Sequence, residues 1–392
     1  MINYGRHFID REDTKSVIST LRSNFLTQGP KTIQFEDKLK YFCGAKYASA
    51  VSSGTAALHL ALLALDVKKN DLVITTPITF LASPNVALYV NAKPIFVDIN
   101  KNNYCIDINK LEKKIINLKE KKKKIKAVII TDYAGHVCDW EKIKILSKKY
   151  NFFTINDNCH ALGAKYKKNI KYACRYADIV TQSFHPVKII TTGEGGAILT
   201  NNKKFYERFK ILRTHGVLKN NNLIKKYGQW YYEMVALGYN YRLSDIHASL
   251  GISQLKKIKK FLKKRKQLAK KYDSSFTNKF FFKSPFVEKY CEHSYHIYPL
   301  QINFDKLKIN KKQFFLKLKK SNINLQVHYI PIHLQKFYKQ KFNYKLGDFP
   351  VAEEYYKKTV SLPLFHDLSI KKQNKVIKSI NALCLKYKKI KF

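Results

Sequence analysis

Short apolar segments alternate with helical patterns over residues 48–200, and this alternation limits the possible folds more than any other feature of the chain. Strands that alternate with helices in this way are typical of a mostly parallel sheet with helices on both faces. Ligands of such sheets bind at the carboxyl ends of the strands. The predicted strands are 48–52, 72–75, 93–97, 127–131, 152–155, 177–184 and 197–200, and the predicted helices are 55–65, 80–89, 109–118 and 139–150.

The rest of the chain adds helices before the sheet and a smaller α+β region after it. Helices are predicted at 11–21, 31–41 and 201–212, and a long helix begins near Asp245 and passes Leu262. The later predictions are strands at 295–302 and 325–330, and helices at 311–318, 350–358 and 369–385. A chain of 392 residues is long enough for two cores. We expect a large domain over 1–250, which includes the N-terminal segment, and a small C-terminal domain over 251–392.

The formal net charge of +46 raises the question of nucleic-acid binding. Most of the excess is lysine, and it is spread along the whole chain together with abundant tyrosine and phenylalanine. This pattern favours a biased background composition on solvated faces. We therefore expect no specific nucleic-acid partner, and a positive field that suits an anionic substrate.

The cysteines and the apolar segments predict a water-soluble protein in a reducing compartment. The seven cysteines are widely spaced and form neither Cys-x-x-Cys nor a cluster with metal-ligand spacing. They predict free thiols and no metal site. The longest apolar run, 56–65, is about half the length that a membrane helix needs, and the first residues do not resemble a signal peptide. A cytoplasmic protein without a membrane segment is expected.

Three polar features follow predicted strands. Ser53-Gly54-Thr55 lies between a strand and a helix, where free backbone N–H groups and the helix dipole favour an anion. A plain helix cap explains the same residues. The segment is neither a GxGxxG nor a GxxxxGK[ST] motif, so it does not support a dinucleotide-binding or P-loop site.

Asp157 and Lys188 are the other two features. Lys188 lies between two buried strands, and partial burial lowers the pKa of an amine and makes it nucleophilic, as Schiff-base chemistry requires. Asp157 follows the strand 152–155, where it would either cap the next segment or face a ring nitrogen of a ligand. An amine, an aspartate and an anion site at one sheet edge are what pyridoxal phosphate (PLP) requires.

The chain resembles the DegT/DnrJ/EryC1/StrS family of nucleotide-sugar aminotransferases. The likeness runs from about Tyr4 to the segment 361–364, and several motifs occur in the order typical of that family. These motifs are Ser53-Gly54-Thr55-Ala56-Ala57-Leu58, Asp157-x-x-His160, Ser183-Phe184-His185-Pro186-Val187-Lys188, Gly193-Glu194-Gly195-Gly196, Arg213-x-His215-Gly216 and Gly238-x-Asn240-x-Arg242. The resemblance implies a type I PLP-dependent transferase fold, with a large seven-stranded sheet domain, a small C-terminal domain and a homodimer with shared active sites.

The resemblance also implies roles for individual residues. Lys188 would bind PLP covalently and Asp157 would pair with the pyridine nitrogen, so these two are the predicted catalytic residues. Phe80 would lie against the ring and His160 near the ring hydroxyl. The predicted phosphate ligands are Gly54, Thr55 and Ser183, with Asn240 from the other subunit. The candidates for the sugar-nucleotide side are Tyr4, Asn24, Phe25, Leu26, Thr27, His328 and Tyr329.

Within the family, the segments 4–6, 26–30, 190–196 and 326–331 are most similar to members that act in pseudaminic acid biosynthesis. This likeness implies transfer of an amino group from L-glutamate to C4 of a UDP-linked 4-keto-6-deoxy-N-acetyl hexose. Three alternatives are a different keto-sugar (dTDP-linked or 3-keto), a non-catalytic sugar-binding protein, and sugar dehydration. Relatives that dehydrate carry histidine where this chain has Lys188, so the lysine favours transamination. The chain departs from the family pattern at Asn156 and Asn158, which flank Asp157.

Overall fold

A computed structural model of the chain describes residues 1–389, and the strands and helices named below belong to that part. Its strands are β1 (Tyr47–Val51), β2 (Leu72–Thr75), β3 (Lys93–Phe96), β4 (Ile125–Thr131), β5 (Phe153–Asp157), β6 (Lys165–Tyr166), β7 (Ile179–Ser183), β8 (Gly196–Thr200), β9 (Val217–Leu218), β10 (Glu233–Met234), β11 (Phe282–Lys283), β12 (Cys291–Glu292), β13 (Tyr298–Ile302) and β14 (Thr359–Leu362). Its helices are α1 (Arg11–Leu21), α2 (Pro30–Cys43), α3 (Gly54–Ala64), α4 (Ala82–Tyr89), α5 (Ile108–Glu120), α6 (Trp140–Tyr150), α7 (Ala173–Tyr176), α8 (Lys203–Leu212), α9 (Asn221–Tyr227), α10 (Asp245–Lys256), α11 (Ile258–Ser275), α12 (Lys311–Lys320), α13 (Lys336–Phe342), α14 (Pro350–Lys358) and α15 (Ile370–Lys386).

The main sheet has seven strands in the order β1-β8-β7-β5-β4-β2-β3. Strands β7, β5, β4, β2 and β3 are parallel, and β8 is antiparallel to both of its neighbours. The sequence prediction of a mostly parallel seven-stranded sheet is confirmed. Among residues 1–389, no helix is both long enough and apolar enough to span a bilayer.

Alternate residues of the central strands bury opposite faces of this sheet, as the pleat of a strand requires. In β4, Val128 and Ile130 join the core on one face, and Ala127 and Ile129 join the core on the other. Because helices cover both faces of the sheet, the residues on both sides of the strand are buried, and its sequence is a continuous apolar run. Helix α3 lies in the second core and is buried on nearly all sides.

A separate hydrophobic core holds the C-terminal region around the three-stranded sheet β11-β13-β14. Ile2 packs into this core, and its N–H donates to the carbonyl of Asn322 at 2.7 Å. The N-terminus is therefore attached to the C-terminal core. The expected boundary near residue 250 falls within α10, which packs on α1 and α2, and it stays a prediction.

The structure corrects several predicted elements. The segment 325–330 is not a strand, because only Gln326 pairs, with Ser361, before the chain turns away. The predicted long helix is two helices, α10 and α11, which are separated at Lys257, whose Nζ contacts Asp10 and Asp13 at 2.7 and 2.6 Å. No element is predicted between residue 212 and Asp245, where the structure has helix α9 and the short antiparallel ribbon of β9 and β10.

Candidate active site

The carboxyl ends of β5 and β7, the start of α3 and the loop after β7 surround one cavity of about 380 Å³. Parallel strands leave their polar terminal residues at a common edge, so residues far apart in sequence meet there. The cavity is lined by Tyr4, Ser53, Gly54, Thr55, Leu58, Thr79, Phe80, Ala82, Thr131, Asp157, Cys159, His160, Ser183, His185, Val187, Lys188, Glu194, His296, His328 and Tyr329.

Asp157 is the last residue of β5, so the strand extends two residues beyond its predicted end. Its carboxylate is buried and accepts hydrogen bonds from Ser83 Oγ at 3.0 Å, the Cys159 N–H at 3.3 Å and Thr131 Oγ1 at 3.5 Å. These donors fix the carboxylate at the cavity wall. Because a carboxylate has about four lone-pair positions, it can still accept a bond from a ligand.

Lys188 lies in the loop between β7 and β8, where its N–H donates to the carbonyl of His185 at 2.9 Å. Its side chain is half-buried and lines the cavity. Burial lowers the pKa of this amine, and the nearby Cys159 and Asp157 partly oppose that shift. A larger fraction of Lys188 is therefore neutral than of a solvated lysine, and a neutral amine is the nucleophilic form.

The first turn of α3 forms the anion-binding end of the cavity. Ser53 caps this helix, with its Oγ accepting the N–H of Ala56 at 3.0 Å. The N–H groups of Gly54 and Thr55 have no carbonyl partner within the helix, and they carry its partial positive charge. A Cβ on Gly54 would come within 2.8 Å of the Cβ of Ser183, so only glycine allows the strand end to approach. The backbone donors and the Ser183 hydroxyl can together bind a phosphate.

His160 and Tyr329 form a hydrogen-bonded pair on another wall. The Nδ1 of His160 faces the N–H of Ala134 at 3.3 Å, and its Nε2 lies 3.1 Å from Tyr329 Oη. Burial, followed by the charges of Lys188 and His328, holds the pKa of His160 well below its ordinary value. The ring is therefore neutral, and Nε2–H donates to Tyr329 because Nδ1 must accept from Ala134. The Tyr329 hydroxyl is left to donate to another group.

The opening of the cavity is aromatic. Phe80 precedes α4, has 55% of its surface exposed, and lies 6.0 Å from the ring of Tyr329. Tyr4 and His328 lie with their ring centres 5.2 Å apart. Burial lowers the pKa of His328 to about 4, and its Nδ1 is 2.8 Å from Ser361 Oγ. These rings offer flat surfaces for a planar ligand and for a sugar.

The other predicted site residues do not line this cavity within one chain. Asn240 is exposed and pairs with Thr214 in an isolated bridge. Thr27 pairs with Ser244 in the same way, and Asn24, Phe25 and Leu26 are exposed. Their predicted contributions require a second subunit and stay predictions.

Several cavity residues were not identified from the sequence. They are Thr131, which donates to Asp157, the neighbouring Thr79, which is 2.9 Å from Thr131, and the wall residues Cys159, Glu194 and His296. Ser83, which does not line the cavity but donates to Asp157, was also not identified. Thr131 ends a predicted strand and carried a recognisable signal, because strand ends line such sites. Ser83 lies within α4, and nothing in its local sequence indicates a contact with Asp157.

The cavity fits PLP in the chemistry of its donors. The α3 N-terminus with Ser183 can bind the phosphate, Asp157 can accept a hydrogen bond from the ring nitrogen, and Lys188 provides the amine. Its volume of about 380 Å³ suits a small ring compound with a second ligand beside it. No group of three or more His, Cys, Asp or Glu side chains within residues 1–389 is arranged to hold a metal ion.

The chain is similar over nearly its whole length to several known proteins. An uncharacterized protein of Methanocaldococcus jannaschii is 43% identical over 96% of this chain and 95% of its own length. The UDP-4-amino-4,6-dideoxy-N-acetyl-beta-L-altrosamine transaminase of Campylobacter jejuni serotype O:23/36 is 38% identical over 99% of both chains.

Two solved structures extend the likeness to the fold. Helicobacter pylori PseC, an aminotransferase involved in the biosynthesis of pseudoaminic acid, has a TM-score of 0.89 with 32% identity over 98% of this chain and all of its own. The PLP form of the sugar aminotransferase Spr1654 from Streptococcus pneumoniae has a TM-score of 0.89 with 30% identity over 98% and 99% of the two chains. Residues 7–381 match the DegT/DnrJ/EryC1/StrS aminotransferase family. The chain therefore belongs to this family and is a PLP-dependent aminotransferase with the type I fold.

Proposed function

We propose that the protein transfers the amino group of L-glutamate to C4 of a UDP-linked 4-keto-6-deoxy-N-acetyl hexose, a step of pseudaminic acid biosynthesis. The observation that carries the proposal is the meeting of Lys188, Asp157 and the α3 N-terminus in one cavity. The choice of sugar is supported by the Campylobacter and Helicobacter relatives, which match nearly the whole chain.

Asp157 has the electrostatic role in this reaction. PLP, when bound, supplies a carbonyl carbon that accepts an amino group and a ring that withdraws electrons from it. Asp157 keeps a proton on the ring nitrogen through a charge-assisted hydrogen bond, which contributes about 1.5–3 kcal/mol. Ser83 and the Cys159 N–H hold the carboxylate in place, so it does not reorganise during the reaction.

Lys188 has the covalent and proton-transfer roles. Burial lowers the pKa of Lys188, and its neutral amine would hold PLP covalently. With an amino donor in the cavity, the freed amine of Lys188 would lie at the same wall, where it would accept and return a proton at the donor's α-carbon. The same amine serves both half-reactions, because the amination of the sugar ketone reverses the chemical steps of glutamate deamination.

The aromatic and histidine side chains position the ligands. Phe80 offers a face to the ring, and neutral His160 fixes the Tyr329 hydroxyl as a donor toward the cavity. Tyr4, His328 and Tyr329 form the wall on which we place the sugar nucleotide. A side-chain hydroxyl that donates from this wall would bond to an oxygen of the cofactor or of the sugar.

We further propose a cytoplasmic homodimer with shared active sites. Asn240 and the segment 24–27 lie outside the cavity of their own chain, and Phe25 and Leu26 are 53% and 45% exposed. A second subunit would cover these apolar side chains and bring Asn240 to the partner's phosphate site. Light scattering of the holoenzyme tests the dimer, and a monomer would contradict it.

The reaction is tested by incubating the holoenzyme with L-glutamate and a panel of UDP-linked and dTDP-linked keto-sugars, followed by product NMR. We expect a 4-amino sugar from the UDP-4-keto substrate and 2-oxoglutarate in equal amount. Reaction with only dTDP-linked or 3-keto sugars would contradict the substrate and favour the alternative of another nucleotide-sugar aminotransferase. Borohydride reduction should leave a pyridoxyl group on Lys188, and its absence from that residue would contradict the cofactor assignment independently of activity.

A further inference from the structure

His296 is a buried side chain of the candidate active site to which the proposed reaction assigns no role. It is 4% exposed and lines the same cavity as Lys188. It lies just before β13, a strand of the small C-terminal sheet, so the C-terminal region contributes it to the cavity wall. A buried titratable ring at a reaction site requires a physical explanation.

The two ring nitrogens of His296 differ in their surroundings. Nδ1 is fully enclosed and has no hydrogen-bond partner within residues 1–389. Nε2 also makes no hydrogen bond to the described part of the chain, but it is not enclosed, so it is the nitrogen that can reach a ligand in the cavity. Buried polar side chains in folded proteins are nearly always paired, so a free and accessible ring nitrogen at a cavity wall indicates a bound partner.

The ring is neutral, and its proton lies on Nε2. Burial, followed by the charges of His160 and Lys188, holds the pKa of His296 well below its ordinary value. A proton on Nδ1 would leave an enclosed N–H group without an acceptor, which is a costly arrangement. We therefore place the proton on Nε2, which then acts as a donor toward the cavity.

Backbone hydrogen bonds and a neighbouring ring fix the position of this donor. The N–H of His296 donates to the carbonyl of Ala134 at 3.0 Å, and the carbonyl of His296 accepts from Arg265 Nη1 at 3.0 Å. The ring centre of His296 is 4.4 Å from that of His160. A donor that is held in this way can bind an anionic group without reorganising.

The amino donor brings an anionic group for which the cavity has no assigned partner. The phosphate end and the sugar wall described above leave the carboxylate of the amino donor without a ligand, and no arginine within residues 1–389 lines the cavity. The α-carboxylate of an amino acid is attached to the carbon at which Lys188 acts. His296 lies close enough to Lys188 for the charge of that lysine to act on its ring.

We propose that Nε2 of His296 binds a carboxylate group of the amino donor and so holds the donor's α-carbon beside Lys188. The inference rests on the proposed function only in requiring an amino-acid donor, and it does not depend on the identity of the sugar. A hydrogen bond to a carboxylate is stronger than one between neutral groups. His296 is in this role a substrate-binding residue that transfers no proton.

The test is calorimetric titration of the PLP-saturated holoenzyme with glutarate, a dicarboxylate that has no amino group and cannot react. We expect one saturable site per chain in the unchanged protein. His296→Phe keeps a ring beside His160 and removes the donor, so it should weaken glutarate binding by about tenfold or more. His296→Gln places an amide N–H near the position of Nε2 and should bind within about threefold of the unchanged protein. The affinity for PLP, measured by absorbance, should be the same in both variants.

The matched control is His293→Asn, which changes another buried histidine. His293 does not line the cavity, and its Nδ1 accepts the N–H of Tyr295 at 2.8 Å, a bond that an asparagine oxygen can replace. Glutarate should bind to this variant within about twofold of the unchanged protein. Equal losses in His296→Phe and His296→Gln, or in the control, would mean a general change of packing and would overturn the proposal. A loss of PLP affinity without a loss of glutarate binding, or no saturable glutarate binding to the unchanged protein, would also overturn it.

Conversion of the bound cofactor by L-glutamate, followed by absorbance, separates this inference from the proposed function. In His296→Phe, we expect the glutamate concentration for half-saturation to rise by about tenfold or more. An unchanged half-saturation would overturn the inference and leave the proposed function standing. No conversion in the unchanged protein would contradict the proposed amino donor, whereas the glutarate titration needs no turnover and still decides the inference.

Discussion

Two buried aspartates lie at the carboxyl ends of the neighbouring parallel strands β4 and β5, and they differ in how many of their lone pairs accept hydrogen bonds from the protein itself. Asp132, after β4, accepts from the Cys138 N–H at 2.8 Å, Trp140 Nε1 at 3.0 Å, Asn158 Nδ2 at 3.0 Å and Tyr172 Oη at 2.7 Å. Within residues 1–389, Asp157 at the end of β5 accepts three bonds, at 3.0, 3.3 and 3.5 Å.

The surroundings of the two carboxylates differ in the same sense. Asp132 is fully enclosed, and burial raises its pKa although its donors oppose the shift. Asp157 borders a cavity that also contains Lys188. A carboxylate whose oxygens are saturated by the fold stabilises the structure, whereas one with free lone pairs at a cavity can bind a ligand. We infer from this comparison a structural role for Asp132, and it supports the proposed catalytic role of Asp157.

The largest effect is expected from Lys188→Ala, which removes the amine that shares the cavity with Asp157. Amino transfer should slow by about 10³-fold or more, because both covalent binding and proton transfer are lost. Single-turnover assays with glutamate measure this change, and Lys259→Ala on the exposed face of α11 is the control. A rate within tenfold of that of the unchanged protein would mean that Lys188 is not the catalytic amine.

Substituting each of the two aspartates tests the comparison between them directly. Asp132→Asn should lower the free energy of unfolding by about 3 kcal/mol, because an amide group cannot accept from all four donors. Its activity per folded molecule should stay within a fewfold. Asp157→Asn should reduce turnover by about 10²-fold and change stability by less than about 1 kcal/mol. Urea titrations and saturating-PLP assays measure both, and the opposite pattern would reverse the comparison.

Acid should weaken the fold around the cavity through its buried histidines. The pKa of His328 is about 4 in the folded protein and about 6.5 when unfolded, so the unfolded state binds the proton first as pH falls. The stability contribution is complete above pH 6.5 and is lost as pH falls toward 4. As pH falls from 6.5 to 5, the low pKa of His328 should lower the free energy of unfolding by about 2 kcal/mol. Urea titrations of the unchanged protein and of His328→Asn check this, and identical pH dependence would refute it.

The smallest effect is expected from Tyr329→Phe. This change leaves His160 Nε2–H without its acceptor and removes the hydroxyl that donates into the cavity. We expect kcat/KM to fall by about tenfold, with unchanged binding of PLP in absorbance titrations. Tyr176→Phe, outside the cavity, is the control. Loss of cofactor binding in Tyr329→Phe would mean that the hydroxyl supports the cofactor site and not the reacting ligands.

Much of the fold was predictable because local signals mark its elements. Strand β2 has its predicted bounds because its apolar run ends at turn residues on both sides. Helix α14 also has its predicted bounds, and it begins at Pro350, a residue typical of the first helical position. Helix α9 was missed because it has only seven residues and none of them is buried, so Leu223 and Ile224 are too few to form a detectable apolar pattern. The segment 325–330 has residues that are typical of a strand. The carbonyl of His328, however, accepts hydrogen bonds from the hydroxyls of Tyr133 and Tyr355, which are distant in sequence.

The site was predictable in part. The sequence directs attention to Asp157 and Lys188 through their positions after strands and through the family motifs, and the structure brings both to one cavity. Asp132 also follows a predicted strand, so position alone does not separate the two aspartates. Asn158, a departure from the family pattern, donates to Asp132 and so belongs to the structural network.

The sequence by itself determined the alternating architecture, the family and the cofactor, because periodicity and motifs are local properties of the chain. Tertiary structure alone decided which buried polar atoms have partners and which remain free. The donors of Asp132 come from segments that are distant in sequence, and their hydrogen bonding depends on distances of a few tenths of an ångström. Such distances are set only when the whole chain is packed.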